Sequence, residues 1–135
     1  MARRSRAREV ALQVIYQDDL NPQHDPALAD NFLKGRLRGS ELVEFARSLV
    51  RGVRQNRPQL DEVLARTAEH WSLERMAATD RNVLRLGAYE ILFAETPDRV
   101  AINEAVELAK RFGTKQSAQF VNGILDRLLA GHEKR

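Results

Sequence analysis

The chain has 135 residues, 43% of them hydrophobic and 30% charged, with a net charge of +3. That length suits one domain with a hydrophobic core, and the balance excludes a disordered chain. Cysteine is absent, which removes disulfides and thiolate chemistry; no apolar run is long enough for a membrane span or a secretory signal, so a cytoplasmic protein is expected.

Charge is distributed unevenly. Arg3, Arg4, Arg6 and Arg8 put four cations into the first eight residues, and without them the chain carries 18 basic and 19 acidic side chains. The pattern is a nearly neutral body with a basic N-terminal arm over residues 1–8, an arrangement suited to a polyanion such as nucleic acid. Eighteen of the 22 basic residues are arginine, the side chain suited to phosphate forks and base stacking.

Helical periodicity runs throughout. After the arm, Ala7, Val10, Ala11, Val14 and Ile15 form one apolar stripe with Glu9, Gln13 and Gln17 on the other side, and Asn21-Pro22 ends the helix. Asp25-Pro26 opens a short second helix through Ala29, Phe32 and Leu33, with aspartate as cap and proline in the first turn. Gly39-Ser40 stops it and caps a third, with Leu42, Ala46, Leu49, Val50 and Val53 facing inward. Pro58 is expected to start a fourth, with Leu60, Val63, Leu64 and Ala68. Trp71 leads into a single capped turn from Ser72 to Met76.

Thr79 or Asp80 is expected to cap a fifth helix, with Val83, Leu84, Leu86, Ala88, Ile91 and Leu92, before Thr96-Pro97-Asp98 breaks it. The sixth places Ile102, Ala105, Val106, Leu108, Ala109 and Phe112 on its apolar face, and Gly113 stands where a left-handed C-terminal cap is wanted. The seventh runs from about Lys115 to Leu129 around Phe120, Val121, Ile124, Leu125 and Leu128. Asn122-Gly123 resembles a hairpin turn, but its flanks keep the helical period; a glycine there is expected to admit a close neighbour. The expected fold is all-α, about seven helices without internal repeat.

Catalytic patterns are missing. His24, His70 and His132 are far apart and outside any H-E-x-x-H pattern, so they are expected at the surface rather than on a metal. Neither G-x-x-x-x-G-K-[ST] nor G-x-G-x-x-G nor G-x-S-x-G occurs. Asp18 and Asp19 are adjacent, which turns them to different sides of a helix and excludes a shared-proton dyad. No enzyme, cofactor or metal is expected. Three polar features remain: the arginine arm, the basic segment Lys110 to Lys115, and Phe120 beside Gln116 and Gln119. A basic helix end also follows from the macrodipole, and an aromatic on a helix commonly belongs to the core.

Several segments together resemble the NusB family of bacterial transcription antitermination factors. Val100 to Lys110 followed by Phe112-Gly113 resembles the family's penultimate helix, and Phe120-Val121-Asn122-Gly123-Ile124-Leu125-Asp126 its last. Asp80 to Ile91 resembles the preceding helix, and Arg3 to Arg8 running into Val10-Ala11-Leu12-Gln13 and Tyr16 the arginine-rich start. The resemblance implies a helical bundle of two packed subdomains that acts in ribosomal RNA operons without catalysis. Its partners would be ribosomal protein NusE and BoxA RNA and, indirectly, RNA polymerase and other Nus factors. By position, Arg3, Arg4, Arg6 and Arg8 would contact RNA, with Lys115, Gln116 and Phe120 as a second RNA edge. Gln116 stands where some relatives carry an acidic residue. Glu74 and Asp80 would face NusE, and Tyr16 would lie near both partners. Some NusB-like proteins self-associate through the face that meets RNA or partner, so a homodimer stays among the partners the resemblance allows. The same kind of domain serves as an accessory module in ribosomal RNA cytosine methyltransferases, and a purely structural helical partner protein is the third alternative.

Overall fold

The computed structural model describes residues 3–133, six α-helices and one short 3-10 turn. Helix α1 spans Arg3–Leu20, α2 Leu28–Arg36, α3 Ser40–Thr67, α4 Ala78–Leu92, α5 Asp98–Phe112 and α6 Ser117–Glu133; the 3-10 turn covers Leu73–Arg75. Among the described residues there is no strand. Helices α1–α3 pack as one subdomain and α4–α6 as a second, with α4 lying against both α1 and α3. One apolar cluster runs through both, from Val10, Leu49 and Leu64 to Leu84, Ile102 and Leu125.

Two expected helices are one. Helix α3 continues through Pro58, where a proline removes a backbone donor and crowds the preceding turn. The buried positions explain its continuity: Val43, Ala46, Val50, Val53, Leu60 and Leu64 keep one phase on both sides of Pro58. Burying Leu60 and Leu64 on that stripe, at roughly 1.5–3 kcal/mol each, offsets the cost of the proline, about 3 kcal/mol.

Several helix ends also differ from expectation. Gly39, at φ 94°, precedes α3 and Ser40 makes no capping hydrogen bond. Ala77 occupies the cap position of α4, which puts Thr79 and Asp80 inside its first turn. Asp25 accepts a hydrogen bond from the Ala27 amide at 2.9 Å, so it does organise a turn, although regular helix begins only at Leu28. Gly113 is extended rather than left-handed, at φ −99° and ψ −161°. Its value is spatial, since a Cβ there would run into the Ser117 side chain. Ser117 in turn accepts a hydrogen bond from the Thr114 amide at 2.9 Å and so ties the α5–α6 loop to the start of α6.

Candidate nucleic-acid interface

The arginine arm is helix. Its described residues, 3–8, form the first turns of α1, where one face packs against α3, α4 and α5; residues 1–2 of the arm lie outside the described residues. Arg8 is the pivot of that packing. Its guanidinium meets Glu90 of α4 through two bonds, Nε to Oε1 at 2.7 Å and an Nη to Oε2 at 2.9 Å. The two side chains are 5% and 2% exposed. A third contact reaches Glu104 of α5 at 3.4 Å, while Thr96 donates to Glu90 and Ser5 to Glu104, each at 2.6 Å. Burial works against the charge on Arg8, but hydrogen bonding and attraction from Glu90 and Glu104 hold its pKa above the ordinary value. Arg8, expected among the RNA contacts, thus faces inward, with all three guanidinium nitrogens bonded to Glu90 or Glu104.

The other three arginines remain accessible. Arg3 and Arg4 are exposed, and among the described residues neither has a carboxylate partner. Arg4 lies over the Phe45 ring of α3 at 4.4 Å from its centroid, which steadies the guanidinium without neutralising it. Arg6 pairs with Glu9 at 3.1 Å, and the same carboxylate holds Arg111 at 3.1 Å. Glu9 is thus buried between two arginines rather than on a solvated face. It joins the start of α1 to the end of α5, where the segment carrying Lys115 and Gln116 begins.

Lys115 and Gln116 are exposed in the turn before α6, and Lys115 has no ion-pair partner among the described residues. Phe120, one turn later, is half-buried and packs on the apolar cluster. Its ring meets Trp71 edge-on, with centroids 5.3 Å apart and planes at 75°. Trp71 is 54% exposed, and periodicity could not single it out because it lies outside any stripe. Gly123 is inside α6 with open space around it, so the close neighbour expected there is not part of this chain's described residues.

The remaining expected residues gather around the start of α4. Tyr16 lines an apolar cavity of about 630 Å³ with Leu12, Leu28, Phe32, Thr79 and Phe112. Phe112, expected in the core, is 41% exposed at this cavity. Asp80 follows Thr79 directly, and its Oδ1 is buried without a hydrogen-bond partner. Glu74 is exposed in the 3-10 turn. His24, expected at the surface, is half-buried and bonded to Asp18 at 2.7 Å. Among the described residues no three His, Cys, Asp or Glu side chains converge as a metal site would require, and no helix is long and apolar enough to cross a membrane.

A family model described as the NusB family matches residues 5–130. The chain belongs to the NusB family. It is 44% identical over 131 residues to the transcription antitermination protein NusB of Anaeromyxobacter dehalogenans, covering 96% of this chain and 92% of that one. The solved structure of T. maritima NusB aligns with a TM-score of 0.88 at 38% identity, covering 96% of this chain and 92% of that chain. A crystal structure of antitermination factors NusB and NusE in complex with dsRNA aligns with a TM-score of 0.85 at 25% identity, covering 97% and 99% of the two chains. The last two helices expected from the resemblance are present here as α5 and α6, within the bundle of two packed subdomains. The family is one of antitermination factors rather than enzymes.

Proposed function

We propose that this chain is a cytoplasmic, non-enzymatic transcription antitermination factor, a NusB-like RNA-binding domain over residues 1–135. It would bind BoxA RNA of ribosomal RNA operons together with NusE, and act on RNA polymerase alongside other Nus factors. The observation that carries the reading is the likeness in fold, over 97% of this chain, to a NusB that is solved with NusE and RNA. Physical support comes from Arg3, Arg4 and Lys115, cations without carboxylate partners among the described residues. Arg6 and Arg111, bridged by Glu9, connect the two basic segments.

The division of labour follows from chemistry. Phosphate pairing by Arg3, Arg4, Arg6 and Lys115 supplies attraction without sequence information, and Gln116 and the aromatic pair built on Phe120 offer an amide and ring surface to unpaired bases. Tyr16, Glu74 and Asp80 form the NusE side, where the exposed Glu74 and half-buried Asp80 carboxylates suit the cations of a basic ribosomal protein.

The test is binding of a BoxA RNA by the purified chain, by NusE, and by both. Tighter binding by the pair, lost when BoxA is scrambled, is the expected result. Equal binding of BoxA and scrambled RNA by the pair would overturn the reading. Asp80→Lys reverses charge at the partner face and should lower NusE affinity while helix content is retained; unchanged affinity would remove Asp80 from that face.

A further inference from the structure

We propose that Trp71 is the base-stacking surface of this protein, with Phe120 as its half-buried support. The inference rests on the RNA-binding function proposed for the chain and reassigns the aromatic work within it. A ring that stacks on a base must offer its face to solvent. Phe120 is half-buried against the apolar cluster, whereas the Trp71 indole is 54% exposed. The edge-on contact at 5.3 Å and 75° lets Phe120 brace Trp71 and still leaves indole surface free. Trp71 stands outside regular helix, held by its amide bond to the Ala68 carbonyl at 2.7 Å. Its exposure is therefore not the by-product of a helix stripe.

The surroundings favour an unpaired nucleotide over a protein chain as occupant. Gln116 and Gln119, exposed one turn and one residue before Phe120, supply amides that can meet base edges. Gly123 and Arg127 continue the same face of α6, one and two turns beyond Phe120. A Cβ at Gly123 would meet nothing within 4 Å, so a chain can come close to the helix there. Arg127 is exposed with no ion-pair partner among the described residues, about 10 Å along the axis from Phe120. An aromatic face followed by an open helix surface and an unpaired cation has the composition of a stacking platform with an adjoining phosphate site.

Trp71 is the chain's one tryptophan, so its fluorescence reports on this site directly. The complex with NusE is titrated with BoxA RNA, and the Trp71→Phe complex supplies the background from NusE. Quenching of the Trp71 signal that saturates with binding is expected. Trp71→Ala should weaken RNA binding roughly 5- to 150-fold, the range for removal of one stacked base. Its salt slope should stay unchanged because every phosphate pairing is retained, and Trp71→Phe should recover part of the affinity. A melting temperature for each variant identifies loss of folding, in which case Trp71→Phe and the quenching titration of the parent carry the decision. RNA binding with neither quenching nor weakening in a folded Trp71→Ala overturns the proposal and leaves the RNA-binding function standing. Loss of NusE binding in Trp71→Ala with RNA binding by the chain alone unchanged would make the site a protein-docking surface and overturn it too. Absence of any BoxA binding by the parent complex overturns both.

Discussion

Four arginines within eight residues have different fates, and the difference is chemical. Arg8 meets a buried carboxylate 82 residues away in the chain, whereas Arg3 and Arg4 meet none among the described residues. Arg8→Ala should cost about 3–5 kcal/mol, because Glu90 would be left as an uncompensated buried charge. Replacing Arg3 and Arg4 by alanine should barely change folding. It should instead lower the log–log salt slope of RNA binding by about 0.7 for each phosphate that no longer has a cation paired to it. Urea unfolding and salt-dependent binding on the two variants check this; a stable Arg8→Ala or an unchanged slope would refute the respective half. The basic cluster was legible in the sequence, since charge needs only counting. Which arginine turns inward was not, because it depends on a partner in α4 that local pattern cannot supply. The same limit applies to Glu9, placed by periodicity on the polar face and buried by Arg6 and Arg111. Phe120 was legible as a boundary case and Trp71 was not, since exposure of a loop aromatic has no periodic signature.

At the scale of the element, periodicity succeeded wherever a helix buries one continuous stripe, and failed at punctuation. Pro58 reads as a helix start by local rules, yet the inward stripe of α3 continues across it in phase. Packing along the whole stripe outweighs a single breaker. The glycine that matters within α3 is Gly52, where α4 comes so near that an added Cβ would run into the Tyr89 ring. Tyr89 is itself stacked on Phe93, with centroids 6.1 Å apart, so it cannot swing away without unstacking that pair. Gly52→Ala should therefore destabilise the protein by about 1–3 kcal/mol through overpacking. This would occur even though alanine is the better helix former. A lowered urea midpoint with an unchanged slope is the expected signature. An unchanged or raised midpoint would mean that α3 and α4 separate at little cost.

At the end of α1, Asp18 ties the helix to α3 and to the loop before α2, while Asp19 faces both α3 and α4 and so joins the two subdomains. Asp18 receives Arg54 at 2.6 Å and 2.8 Å and His24 at 2.7 Å. Asp19 receives Arg57 at 3.1 Å, Arg81 at 2.7 Å and Asn82 at 2.8 Å. Burial alone would raise both carboxyl pKa values. Hydrogen bonds from Arg54 and His24 to Asp18, and from Asn82 and Arg81 to Asp19, prevail, with attraction from the neighbouring cations adding to them, and both lie below their ordinary value of 3.8. With the folded pKa values depressed, the unfolded chain binds more protons as the pH drops below about 4. The stability these groups contribute is therefore complete above that pH and is lost as the pH falls through their folded values. Asp18→Asn/Asp19→Asn removes both charges while keeping similar size. At pH 7 it should cost about 1.5–3 kcal/mol for each charged hydrogen-bonding site removed. The informative quantity is the difference between parent and variant, since every other acidic group is common to both. Urea unfolding from pH 7 to pH 2.5 should show that difference constant down to about pH 4 and then shrinking as the parent's aspartates take up protons. A difference that stays constant to the lowest pH would mean that charge at Asp18 and Asp19 holds neither α1 to α3 nor the two subdomains together.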